Sequence, residues 1–296
     1  MKPKLAKNKY GYVEVANKPQ QEELTAYYSE KYYTDDESKL NNYQRDYSNE
    51  EIGFFKNRLA RKEAILNNLF DGNLEGKSIL DVGCGEGWAL SYFNEKGNAV
   101  KGLEFSSSAA ESINPHVAKF VMSGDVFINL ENLIESQDQF DVVILDNVLE
   151  HVLDTEFLVA TLKKLISDDG VLIVEVPNDF SILQQYLMDN DKIKDEFWVA
   201  YPDHLSYFNH DGLKNIFEEN GWETLDITCD FPIDMHLLND NTNYIMDSSK
   251  GKSVHFARLH WENLLDSISV EMTNELYSVY AKMGLGRNLI GYFRKK

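Results

Sequence analysis

The sequence predicts an α/β fold, a doubly wound and mostly parallel sheet with helices on both faces. Three observations carry this. Strand-like and helix-like apolar patterns alternate from about residue 51 to residue 178, and such alternation winds into a parallel sheet through right-handed crossovers. The run Ser78 to Val82 is short and largely apolar, as suits a strand buried on both faces, and it ends in the turn Asp81-x-Gly83-x-Gly85-x-Gly87. Later apolar runs also end in polar residues, at Glu104, Asp125 and Asn147. In a sheet of this class these residues collect at the carboxyl ends of the strands, where ligands bind.

The first 50 residues are polar and rich in tyrosine, with Tyr10, Tyr12, Tyr27, Tyr28, Tyr32, Tyr33, Tyr43 and Tyr47. Residues 22–33 read as a short helix with an aromatic side that packs on the main domain. Ile52, Phe55, Leu59, Leu66 and Leu69 recur at helical spacing, so 51–70 is expected to be a helix lying on the sheet, ended by Asp71, Gly72, Asn73 and Gly76. The glycines of the next turn let the backbone swing from strand to helix and let a ligand approach the main chain. The helix after it aims unpaired N–H groups at whatever lies over the turn, which suits a carboxylate or a phosphate.

A second strand over 99–103 ends at Glu104. That is near the spacing of roughly 20 residues at which an acid accepts hydrogen bonds from a ribose diol. The third strand, 120–122, leads to Asp125, which taken alone reads as a helix cap. The fourth is 140–145. Leu158, Leu162, Leu165 and Ile166 give a helix over 156–166, Asp168 to Gly170 a turn, and 171–176 the fifth strand. An insertion follows Asn178. Leu213, Ile216 and Phe217 then mark a helix capped near Asn209 and stopped by Asn220 and Gly221, with the sixth strand at 222–229. Leu264, Ile268, Met272 and Leu276 repeat at helical spacing further on.

A chain of 296 residues, 43% hydrophobic, can fill a sizeable core. Its formal charge is −20, from 49 acidic and 29 basic residues, a field that opposes nucleic acid and anionic membrane. Cys84 and Cys229 are too few for a disulfide framework or a metal cluster. His236, His255 and His260 lack the spacing of a metal site. The N-terminal lysines precede no apolar run and no stretch has the length of a membrane span, so a soluble cytoplasmic protein is expected.

Two ligand classes compete for the glycine turn. A dinucleotide fingerprint, GxGxxG, would need glycine at Trp88 and does not call for Asp81. The DxGxGxG turn, followed by Glu104, Asp125 and the run LDNVLEHV from Leu145 to Val152, resembles the class I S-adenosylmethionine (SAM)-dependent methyltransferases. That resemblance implies a Rossmann-like, seven-stranded sheet whose last strand, 288–293, is antiparallel. It implies a helical N-terminal extension over 1–50 that serves as a lid, and a core over 51–231 with its insertion at 178–210. A helical cap over 232–286 faces the substrate, and 287–296 returns to the core as the last strand. SAM would be held by Asp81, Gly83, Cys84, Gly85, Gly87 and Phe105, by Glu104 at the ribose, by Asp125 and Val126 at the adenine, and by Asn147. The product is S-adenosylhomocysteine, and no metal is expected.

Methyl transfer from a sulfonium asks the protein to align donor and acceptor, exclude water and often remove one proton. Family members acting on planar amide or base nitrogens carry prolines and an aromatic residue after strand four. Here that place reads DNVLEH, which points to a hydroxyl acceptor, with carbon beside a carbonyl as the alternative. His204 is the candidate base, because imidazole titrates near neutral pH. Its segment, YPDHLSYF, resembles one in bacterial methyltransferases of sugars and other small molecules, where a histidine and a tyrosine line the acceptor pocket. Tyr201 is the implied tyrosine, Asp203 stands where those relatives have glutamate, and His151 competes as base.

The stretches YGYVEVANKPQQEELTAYYSEKYY, DHLSYFNHDGLKNIFEENGW and GLGRNLIGYFRKK resemble methyltransferases of capsule, lipopolysaccharide and surface-glycan pathways. They imply a nucleotide sugar, a glycan precursor or a phosphate-linked modification as acceptor. Another nucleotide-cofactor enzyme and a non-catalytic SAM-binding protein are the remaining readings.

Overall fold

The computed structural model describes residues 2–24, 27 and 47–296. The N-terminal extension opens as a hairpin, β1 (Leu5–Lys7) against β2 (Val13–Val15), ahead of the stretch expected to be helical. The reversal has a local cause. The Asn8 side chain accepts from the N–H groups of Tyr10 and Gly11, and Gly11 takes a φ of +100°, a conformation open to glycine. Residues 21–24 are helical, but the rest of the expected helix over 22–33, with Tyr28, Tyr32, Tyr33 and Tyr43, lies outside the described residues.

Helix α1 (Asn49–Leu69) starts at a capping box, in which Ser48 accepts from Glu51 N and Ser48 N donates to the Glu51 carboxylate. Strands and helices then alternate: β3 (Ser78–Val82), α2 (Trp88–Glu95), β4 (Ala99–Glu104), α3 (Ser108–Ile113), β5 (Val121–Ser123), α4 (Val126–Glu135), β6 (Phe140–Asp146), α5 (Thr155–Leu165) and β7 (Ile166–Pro177). The chain continues through α6 (Ile182–Asp189), β8 (Ser206–Tyr207), α7 (His210–Glu219), β9 (Trp222–Cys229), α8 (Gly251–Ile268), α9 (Val270–Lys282) and β10 (Asn288–Lys295).

The main sheet has seven strands in the order β5-β4-β3-β6-β7-β10-β9, and β10 runs antiparallel to both of its neighbours. Its remaining pairings are parallel. The expected turn at Asp168 to Gly170 is instead a bulge within β7, because Ile166 already pairs with Phe140 before the ladder resumes at Val171. Side chains of β6 alternate between two cores. Val142 and Ile144 pack with Leu59, Leu66 and Phe93 on the α1–α2 face, while Val143 and Leu145 pack with Leu158, Leu162 and Ile216 on the α5–α7 face.

Beyond the carboxyl ends lies a third apolar cluster, with Val15, Leu187, Trp198, Leu205, Tyr207 and Leu237 among its members. It joins the hairpin, which pairs onward with β8, to the insertion after β7 and to the segment after β9. The expected cap over 232–286 is therefore divided. Only its first part joins this cluster, whereas α8 packs on α1 and α9 on β9. Arg61 bonds Glu262 at 2.8 Å and Asn57 bonds Asn263 at 2.9 Å along the α1–α8 contact. The helical repeat of Leu264, Ile268 and Met272 is broken at Ser269, whose hydroxyl caps α9, and these three side chains are exposed. Among the described residues no helix is long and apolar enough to cross a membrane.

Candidate active site at the carboxyl ends of the sheet

The glycine turn folds back on β4 through bonds from Gly83 N and Cys84 N to the Leu103 carbonyl, at 2.8 and 3.1 Å. A Cβ on Gly83, which has φ +77°, would stand 2.6 Å from Val148 Cγ2, so glycine is what lets the segment after β6 close on the turn. Gly85, with φ +50°, faces open space, and nothing lies within 4 Å of where its Cβ would be. The Glu104 carboxylate accepts from Gly85 N and Phe105 N, each at 2.8 Å and one on each oxygen. Each oxygen keeps further acceptor capacity.

Asp81 is buried at the end of β3, and burial, with Asp146 adding and Lys62 opposing, pushes its carboxyl up to about 8. Cys84 is buried against Leu90 and Val117, and burial raises its thiol. Gly87 precedes α2 with φ +75°. Asp125 caps α4, accepting from Phe127 N and Ile128 N on its Oδ1, and Val126 is the first residue of that helix. Asn147, at φ +53°, donates its N–H to the Glu175 carbonyl at 2.9 Å. From the tyrosine-rich N-terminal stretch, Tyr47 donates its hydroxyl to Glu86 at 2.7 Å, and the Trp88 indole donates to the same carboxylate. An open backbone cradle beside a two-oxygen acceptor at the end of β4 fits a nucleoside-bearing ligand of the SAM kind.

The structure brings His151 and His204 together from distant parts of the chain. Their rings stand edge to face, with centroids 4.8 Å apart. Two bonds fasten the insertion to the segment after β6: Leu205 N to the Glu150 carbonyl at 2.8 Å, and His151 Nδ1 to the Asp203 carbonyl at 2.7 Å. The Tyr207 hydroxyl donates to the His204 carbonyl at 2.9 Å. Val148, which touches the glycine turn, belongs to the same segment as His151, so the histidine pair adjoins that turn. Tyr201 is 40% exposed, and its peptide bond to Pro202 is cis.

Sequence reasoning passed over Glu150. Its signal was present in LDNVLEHV, as an acid beside His151, but nothing there showed that the side chain is buried. Burial, and then Asp179, Glu175 and Asp203, push its carboxyl well above the usual range. A cleft of about 500 Å³ between α1, α9 and β9 is lined by Leu69, Leu225 and Val279 among others, none of them from the loops at the strand ends.

The Methyltransferase domain family matches residues 54–227, more than half of the chain. A ubiquinone biosynthesis O-methyltransferase of Rhizobium johnstonii is 32% identical over 106 residues, 36% of this chain and 43% of that protein. One from Neisseria meningitidis is 30% identical over 158 residues, 51% of this chain and 66% of that protein. The chain thus spans less than half the length of the first of these curated relatives. Among solved structures, a SAM-dependent methyltransferase from Archaeoglobus fulgidus is 18% identical, with a TM-score of 0.47 over 80% of this chain and 94% of that one. The chain belongs to the methyltransferase-domain family.

Proposed function

We propose that this protein transfers a methyl group from SAM to a hydroxyl of a small molecule. The observation that supports this most is the His151–His204 pair, adjoining the glycine turn through Val148. When bound, SAM supplies an electrophilic methyl on a neutral leaving group. The backbone at Gly85 and the carboxylate of Glu104 hold the donor's nucleoside end, and Asp125 and Val126 flank its base. His204, with His151 beside it, activates the acceptor hydroxyl. The insertion, fastened at Asp203 and Leu205, screens the site from water.

The relatives' name, O-methyltransferase, favours oxygen over carbon as the acceptor atom. It gives no support to a nucleotide sugar or a surface-glycan precursor, which rests on sequence resemblance alone and stands among the acceptors to be screened. The test uses methyl-labelled SAM against phenols, catechols, sugars and nucleotide sugars. On the acceptor found, His204→Ala is expected to lower kcat by about 10²- to 10⁴-fold, the usual range for a positioned group that moves a proton. SAM affinity should stay near the wild-type value. Full turnover by a folded His204→Ala protein, or a label found on carbon, would overturn the reading.

A further inference from the structure

The cluster beside the glycine turn has the composition of a cation site. Glu150, His151 and His204 each offer one ligand atom, and these atoms lie within 4.8 Å of one another. Glu150 is 1% exposed, and its Oε2 is buried without a hydrogen-bond partner. Among the described residues no lysine or arginine forms an ion pair with it, and its Oε1 lies 3.7 Å from His151 Nε2. Burying a carboxylate in this way is costly unless a cation meets it.

The orientation of His151 is a second, separate observation. A carbonyl oxygen can only accept, so the 2.7 Å contact with the Asp203 carbonyl puts a proton on Nδ1. In the neutral ring Nε2 then carries the lone pair, on the side of Glu150. A backbone carbonyl that holds the far nitrogen is the usual means of orienting an imidazole toward a metal.

We propose that Glu150, His151 and His204 bind a divalent transition-metal ion. Two imidazoles and one carboxylate suit zinc and its first-row neighbours better than calcium or magnesium, which prefer oxygen ligands throughout. Ligands about 2.0–2.2 Å from one ion stand at most about 4.4 Å apart, so small side-chain rotations close the set. Three protein ligands leave a position open for an acceptor oxygen. A hydroxyl bound there loses its proton to solvent water at a lower pH than it would unbound. This deepens the hydroxyl reading and makes His204 a ligand of the activating ion. Ion binding itself depends on neither donor nor acceptor.

The experiment strips the full-length protein with a chelator and titrates it with Zn²⁺ in a calorimeter, without SAM or acceptor. One ion per chain is expected, with affinity at least tenfold lower in Glu150→Gln and in His204→Gln. Co²⁺ added to the stripped wild type should give the visible absorption bands of a low-coordinate nitrogen-ligated site, which covers the case of a variant that does not fold. Failure of stripped wild type to take up Zn²⁺, or uptake undiminished in both folded variants, would overturn the proposal. Ion binding without methylation of any hydroxyl would leave the site standing and remove the hydroxyl reading. Full methylation of a hydroxyl by metal-free protein would leave the hydroxyl reading standing and overturn the ion's part in activating it.

Discussion

Gly83 and Gly85 stand close together in one turn, yet the structure makes different demands on them. A methyl at Gly83 would run into Val148, whereas a methyl at Gly85 meets only open space. Gly83→Ala should therefore destabilise the protein by about 1–3 kcal/mol, the usual cost of overpacking, and lower its melting temperature. Gly85→Ala should melt closer to wild type, with a strain of about 1 kcal/mol at positive φ, and lose SAM affinity because the methyl occupies ligand space. Equal melting temperatures with equal SAM affinities would contradict this division. The sequence spacing shows both glycines but does not separate them, because Val148 arrives from another strand. Asp125 is the opposite case: taken alone it reads as a helix cap, and the structure shows that cap.

Helix α1 shows where apolar periodicity stops being informative. Its apolar face shows in the spacing of Ile52, Phe55, Leu59, Leu66 and Leu69, but that spacing says nothing of Arg58, Arg61 and Lys62. Arg61 and Lys62 are buried, because their partners come from other elements. Lys62 pairs with Asp146 and, at 3.1 Å, with Glu175; Arg58 also pairs with Glu175, which accepts a further bond from Asn288 at 3.0 Å. This network ties α1 to the ends of β6, β7 and β10 directly beneath the candidate site. Burial works to raise the Glu175 carboxyl, but Arg58 and Lys62 outweigh it and hold the group at about 2.

A carboxyl depressed in this way stabilises the folded state above its unfolded pKa, and the contribution fades as pH falls through the folded value. Glu175→Gln should cost about 3–5 kcal/mol near neutral pH, since it leaves Arg58 and Lys62 short of a buried partner. In denaturant titrations the gap between variant and wild type should narrow as pH falls from about 4.5 towards 2. A gap independent of pH would refute the charge assignment. The hairpin β1–β2 escaped the sequence reading for a related reason: strands this short take their definition from pairing, here with β8, more than from their own pattern.

Across the whole molecule, the alternation of strands and helices follows from apolar runs and turn residues that the sequence displays, while the antiparallel β10 is what the family resemblance implies. The lobe beyond the strand ends follows from neither, because it is assembled from three separate stretches that meet only in space. The same holds for the site, where the glycine turn is local while Glu150, His151 and His204 are gathered by the insertion. The most direct measurement is a calorimetric titration with SAM and, separately, with NAD, on wild type, Glu104→Ala and His204→Ala. SAM should bind wild type and NAD should not. Glu104→Ala should weaken SAM by about 1.5–3 kcal/mol, the range for hydrogen bonds to a charged group, and His204→Ala should leave it unchanged. Binding of NAD in place of SAM, or SAM affinity indifferent to Glu104→Ala, would contradict the donor site described for this turn.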